Sequence, residues 1–337
     1  MNDGVANDTS ACPSCRKSRL RVGFVLAVSG LLFGGALLYV YLAFSRPVGD
    51  GPAGPHVSRA AFAKPWTARQ VLLLGVGDSV TAGFGAPPRY SYFNRLVKNP
   101  DDEFEDLRGI CLSAVLPNLR TENLACSGST SLLHLEMVRQ RLAVQNRETF
   151  GLVVMTTGGN DIIHDYGRSP PHEGAMYGAT LQQARPWIDN FEKRLTQLIG
   201  LLEKRFPGGC RIFLADIYDP SDGLGDAQNA GLPAWPDAMA VHQAYNDVIR
   251  HIATRHSSVH IVPMHDEFLG HGIHCTQPWR QHYRANDPHY WYAWNLEDPN
   301  IRGYDAIRRL FLIAIAEHAG KLATAKPLAE KAQIAKP

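Results

Sequence analysis

The 337-residue chain has almost no net charge, with 34 Lys and Arg set against 32 Asp and Glu. It therefore has no global field to draw nucleic acid or another polyanion, and its composition argues against a nucleic-acid role. Several motifs are also missing. Gly75-Val76-Gly77 is followed at the third position by Val80, so the dinucleotide fingerprint is incomplete, and the lysine of a phosphate-binding loop is absent. Thr81 stands where the lipase-type elbow G-x-S-x-G requires its second glycine. Cys12 and Cys15 form a CxxC with no second pair nearby, which leaves a structural zinc site short of ligands; the pair is read as functionless, with lipidation as the alternative. Asp219, Asp222 and Asp226 do not match the acidic ladder of a calcium-binding EF-hand and read as a solvated loop. No metal or organic cofactor is implied, and the chain has no internal repeat.

Residues 22–44, "VGFVLAVSGLLFGGALLYVYLAF", hold no charged residue and follow Arg16, Lys17, Arg19 and Arg21. A helix of this length, at about 1.5 Å per residue, crosses a hydrocarbon core of roughly 30 Å. The basic cluster on its N-terminal side places residues 1–21 in the cytoplasm and the rest of the chain outside it. A cleaved signal peptide of unusual length is the alternative. Cys111, Cys126, Cys210 and Cys275 then lie on the oxidising side, where disulfides form, in a pairing the sequence does not specify.

Residues 45–69 are rich in Pro, Gly and Ala without apolar periodicity and read as a linker. From 70 to 322, strand-length apolar runs (71–77, about 121–124, 151–157, 211–217, 259–264) alternate with helical patterns (131–145, 187–206, 238–256, 303–322). Continuous apolar strands separated by helices predict a parallel sheet of about five strands covered on both faces, a three-layer α/β/α domain. Two stretches, 165–186 and 218–237, break the alternation, and long irregular loops are usually functional or mobile. The tail 323–337 reads as disordered.

Ser79 falls where the first strand ends, and in an open parallel sheet ligands bind beyond the carboxyl ends of the strands. The sequence around it is "GDS" on a strand-to-helix turn. Two further motifs follow in order: "NLACSGSTS" (123–131) and "GGND" (158–161). Together they resemble the GDSL or SGNH hydrolases over most of 70–320. The resemblance implies a flavodoxin-like fold, a nucleophilic Ser79, and an oxyanion hole made by the backbone N–H groups of Ser79 and Gly128 and the side chain of Asn160. An ester hydrolase needs such preorganised donors, each worth about 2.7–4 kcal/mol to the transition state.

The base is less regular. The family's last block reads roughly D-G-x-H-P-N-x-x-G-Y, but "LEDPNIRGYDAI" (296–307) carries Asp298 at the histidine position. "LGHGIHCT" (269–276) resembles the first half of that block, with His274 as the histidine, and an insertion follows it with six aromatic residues between Trp279 and Trp294. If the insertion loops out and returns, Asp298 orients His274 and the triad is Ser79–His274–Asp298. His289 with Asp287, and His282, remain alternatives. The implied activity is hydrolysis of an ester in a polysaccharide or lipid by a single-pass membrane enzyme facing outward. A catalytically decayed glycan-binding protein and an acyltransferase using the same residues are the competing readings.

Overall fold

The computed structural model describes the backbone of residues 13–319 and the side chains of 24–319. Cys12, the residues before it and the expected tail 323–337 lie outside the described residues.

Five strands form one parallel sheet in the order β2-β1-β3-β4-β5: β1 Gln70–Val76, β2 Leu119–Asn123, β3 Thr149–Met155, β4 Cys210–Ala215 and β5 Val259–Val262. Because side chains alternate across a strand, Leu72, Leu74 and Val76 of β1 enter one core while Val71 and Leu73 enter the other. This is why the strands read as unbroken apolar runs. After α1 (Pro13–Phe44), the main helices are α2 (Ser131–Arg141), α3 (Leu181–Arg205), α4 (Ala238–Arg255) and α5 (Ile301–Glu317). Residues of α2, α3 and α4 fill the core on one face of the sheet, and α5 packs into the other.

The helix α3 starts earlier than its apolar periodicity suggested. Thr180 and Gln183 form a capping box that opens it inside the stretch expected to be loop, and Pro186 lies on the exposed side. In α1, Phe24–Phe44 has a mean hydropathy of 2.1 and no buried residue, and is long and apolar enough to cross a membrane.

Residues 45–69 are not a free linker. Ala53, Val57 and Phe62 are buried in the core, the Ala53 N–H donates to Asp305 of α5 at 3.0 Å, and Arg302 bonds the Asp50 carbonyl at 2.5 Å. Three isolated apolar side chains and backbone bonds hold this strap, a pattern with no period to detect. Beneath it α5 buries charge: Arg308 and Arg95 both pair with Glu103, and Asp305 pairs with Arg309 at 3.0 Å. Burial alone would raise the Glu103 carboxyl, but the two guanidinium groups hold it down to about 2. Cys111, Cys126, Cys210 and Cys275 are free thiols.

Candidate active site

The register of the sheet assembles the site. Gly75 of β1 pairs with Asn123 of β2, and Val76 with Met155 of β3. The three motifs therefore leave adjacent strands at the same level, with Ser79 and Asn160 following β1 and β3, where the strand order reverses. Gly77 makes the tight exit with a φ of 140°; a Cβ there would stand 2.2 Å from the Thr156 carbonyl. Asp78 then caps the short helix Ser79–Ala82, accepting from the Val80 N–H at 3.1 Å and the Thr156 hydroxyl at 2.7 Å. Burial pushes the Asp78 carboxyl up to about 6, against these hydrogen bonds and with help from the charge of Asp298.

Asn160 is buried, and its amide donates to the Ser129 carbonyl at 2.9 Å, which leaves a second amide hydrogen free for a ligand. Gly128, with φ of 77°, is exposed on the turn just before Ser129. That turn is pinned from below. The Ser129 hydroxyl meets the Gly77 carbonyl at 3.1 Å and His134 Nε2 at 2.9 Å, and His134 Nδ1 meets the Thr157 hydroxyl at 2.8 Å. Burial pushes the His134 imidazole down to about 4, so it stays neutral and braces the Ser129 turn against the β3 exit at Thr157. His134 belongs to no motif, and only its place on the inward face of α2 could have pointed to it.

The expected base is elsewhere. His274 is buried with Nε2 2.9 Å from Asp226, not joined to Asp298. The cause is Asp222, whose carboxylate takes the backbone N–H groups of Gly270, Gly272 and His274 at 2.8, 2.8 and 2.9 Å. These bonds wrap the 269–275 segment onto the 218–226 loop and carry His274 to Asp226. Asp219 and Asp222 are accordingly buried structural acceptors, not members of a solvated loop. Burial raises Asp222 to about 6 despite its three N–H donors. His289 pairs with Asp287 at 2.5 Å, and Asp287 in turn with Arg302 at 2.7 Å. His282 stands beside the strained Gly223 and Gly270 turns. Among the described residues, none of these histidines shares a hydrogen bond or ion pair with Ser79 or lines its cavity.

The insertion does fold back. The Trp291 N–H donates to the His271 carbonyl at 3.0 Å, and their rings stack 3.4 Å apart. Tyr290, Trp291 and Tyr292 are core residues, whereas Trp279 and Trp294 are exposed. Its return delivers Asp298 to Ser79. Burial raises the Asp298 carboxyl, and hydrogen bonding from Ser79 and Asn295 opposes the rise. The Asn295 amide donates to Asp298 Oδ2 at 2.7 Å, while Oδ1 is buried without a hydrogen bond of regular geometry, so the Ser79 contact is loose. Asn295 lies three residues before Asp298, the spacing of the aspartate in the family block, and that spacing was the signal for it.

A cavity of about 140 Å³ opens from Ser79 and Asn160 and is walled by Ile162, Ile217, Tyr218, Leu232, Trp235 and Met239. Much of its lining comes from 218–237, one of the two stretches that broke the helix–strand alternation, and the other adds Tyr177. Among the described residues no cluster of His, Cys, Asp and Glu is arranged to hold a metal ion.

The parallel sheet with a serine, a glycine turn and an asparagine at neighbouring strand ends defines an α/β ester hydrolase. Residues 76–304 match the model of the GDSL-like Lipase/Acylhydrolase family, and the chain belongs to that family. A search of curated proteins finds no match. Solved structures similar to it include a member of the lipolytic protein G-D-S-L family from Veillonella parvula, at 14% identity and TM-score 0.44, covering 73% of this chain and 97% of that one. Another is an acetylxylan esterase from Geobacillus stearothermophilus, at 17% identity and TM-score 0.46, with 74% and 94% covered. A third is a hydrolase from the metagenome of Lake Arreo, Spain, at 20% identity and TM-score 0.42, with 76% and 96% covered.

Proposed function

We propose that this enzyme cleaves esters of apolar acyl groups longer than acetyl, with Ser79 as nucleophile and the Ser79 and Gly128 N–H groups and Asn160 as oxyanion donors. The observation that carries the reading is the apolar cavity of about 140 Å³ beginning at Ser79. An apolar cavity of about 150 Å³ in another protein accommodates benzene, so this one has room for roughly six carbon atoms. An acetyl group would leave most of it empty. Each methylene buried is worth about 0.8 kcal/mol, about fourfold in kcat/KM.

A series of p-nitrophenyl esters assayed with the full chain in detergent tests this. The expected result is a stepwise rise in kcat/KM from acetyl to about hexanoyl. A maximum at acetyl would instead favour removal of small acyl groups from a polysaccharide.

The enzyme is further proposed to sit on the outer membrane surface, anchored by α1. The basic residues before the span support this orientation. The grip of the insertion on the last turn of α1 supports the close seating of the domain on the span: the Thr276 hydroxyl bonds the Leu42 and Ser45 carbonyls at 3.0 Å each, Gln277 bonds the Ala43 carbonyl at 3.1 Å, and Trp279 stacks on Tyr39. An acyl substrate drawn from the bilayer would then meet a catalytic domain held against it. Protease added to intact cells should digest the domain, and complete protection would contradict the outward placement.

A further inference from the structure

The proton of Ser79 needs an acceptor; His242, the histidine that lines the cavity, has its Nε2 against the Ile217 and Tyr218 carbonyls at 2.9 and 3.2 Å, and the histidines of the 269–300 segment are engaged elsewhere. His274 is held by Asp226, and His289 by Asp287. What faces Ser79 is Asp298, backed by Asn295 at 2.7 Å. We propose that Asp298 is the general base of this enzyme and Asn295 its positioning residue, so that a relay Ser79–Asp298–Asn295 replaces the serine–histidine–aspartate arrangement. The proposal rests on the reading of Ser79 as nucleophile.

Three geometric observations carry it. Asp298 is fixed from both sides: its carbonyl accepts the Ala293 N–H at 2.7 Å, its own N–H donates to Asn295 Oδ1 at 3.2 Å, and Tyr292 and Pro299 form a bridge around it. One carboxylate oxygen is committed to Asn295, while the other, Oδ1, is buried with no partner of regular geometry. A buried carboxylate oxygen left open in this way is costly and is available to take a proton. Leu296 and Glu297, the two residues before Asp298, form part of the cavity wall beside Ser79. Asp298 follows them directly in the chain.

Burial raises the Asp298 carboxyl above its ordinary value, the direction a proton acceptor requires. Asp78 comes from the end of β1, Glu297 from the same segment as Asp298, and the neutral phenols of Tyr218 and Tyr304 from the β4 exit and α5. No cationic side chain offsets these charges at Glu297 or Asp298. Burial, with the charges of Asp298 and Asp78, lifts Glu297 to about 7.

The chemistry balances. As Ser79 Oγ bonds to the ester carbonyl carbon, its proton passes to Asp298, and the carbonyl π pair moves to the oxygen held by the Gly128, Ser79 and Asn160 donors. Collapse re-forms the carbonyl and breaks the bond to the alcohol, which leaves with the proton from Asp298. Water then attacks the acyl-serine, giving its proton to Asp298. The second collapse releases the acid and returns that proton to Ser79.

The test compares kcat/KM against pH for p-nitrophenyl butyrate hydrolysis by the full chain in detergent, for wild type, Ser79→Ala, Asp298→Asn, Asn295→Ala and the double variant N295D/D298H. Asp298→Asn preserves shape and is expected to lose about 10²–10⁴-fold. The double variant, which supplies histidine and aspartate at the same two positions, should recover at least tenfold over Asp298→Asn. Asn295→Ala removes a bond that lowers the Asp298 pKa, so the acid limb of its profile should move to higher pH, a change that loss of packing alone would not cause. If Asp298→Asn keeps a third or more of wild-type activity while Ser79→Ala is inactive, the base lies elsewhere and the proposal fails; equal loss in His274→Ala or His289→Ala would then identify it. If Ser79→Ala itself remains active, the nucleophile reading fails instead.

Discussion

The two halves of the site are built by different means. On the serine side, covering the ends of β1, β2 and β3, backbone geometry does most of the work: Gly77 turns the chain, Gly128 turns it again after β2, and strand register sets Ser79 and Asn160 at one level. On the base side, from 269 to 300, side chains matter more, and the Asp222 carboxylate takes three N–H groups of the segment that carries His274. A site fixed by register stays recognisable in sequence, whereas one fixed by side-chain choice can be rewired by a few substitutions.

The largest effect that would break this contrast is on the serine side. Ser79→Ala should lower kcat by about 10⁴-fold or more, read in steady-state assays with an activated ester. Next, Asn160→Ala should cost about 10²–10³-fold in kcat with a much smaller change in KM, because the amide acts on the oxyanion rather than on the bound ester; a change confined to KM would remove it from the oxyanion hole.

On the base side the supporting framework is separable from chemistry. Glu103→Ala strands the buried guanidinium groups of Arg95 and Arg308, and breaking a buried pair in this way typically costs about 3–5 kcal/mol. Chemical denaturation should show that loss, while kcat of the remaining folded enzyme stays within a few-fold of wild type.

The smallest effect concerns pH. Glu103 is held at about 2, below its ordinary 4.5, so the stability it contributes is complete above about 4.5 and is lost as pH falls towards 2. Asp78 and Glu297 are shifted the other way, to about 6 and about 7. Their contribution is present at low pH and disappears as pH rises through those values. Glu297→Gln should therefore flatten the decline in stability between about pH 4.5 and 7; an unchanged slope would mean that Glu297 is ionised throughout.

Much of the fold was legible because apolar runs and helical periods report burial directly. β1, β3 and β4 fall within a few residues of where Val71, Leu152 and Ile212 mark apolar runs, whereas the edge strand β2, Leu119–Asn123, is mostly polar. The strap was not legible, because Ala53, Val57 and Phe62 are spaced without period and their packing partner, α5, is some 250 residues away in the chain. Ser79, Gly128 and Asn160 stood out because each follows a strand. The partner of His274 did not, since it depends on three backbone N–H groups that converge on Asp222, an acid whose neighbours Asp219 and Asp226 made it look solvent-exposed.

The most direct test is intact-mass analysis of the detergent-solubilised full chain after exposure to a fluorophosphonate, run beside Ser79→Ala and Asp298→Asn. The expected result is a single adduct on the wild type, none on Ser79→Ala, and labelling slowed by at least 10²-fold in Asp298→Asn. A folded wild type that takes no adduct, or a Ser79→Ala chain that takes one as fast as wild type, would contradict the central claim that Ser79 is an activated nucleophile.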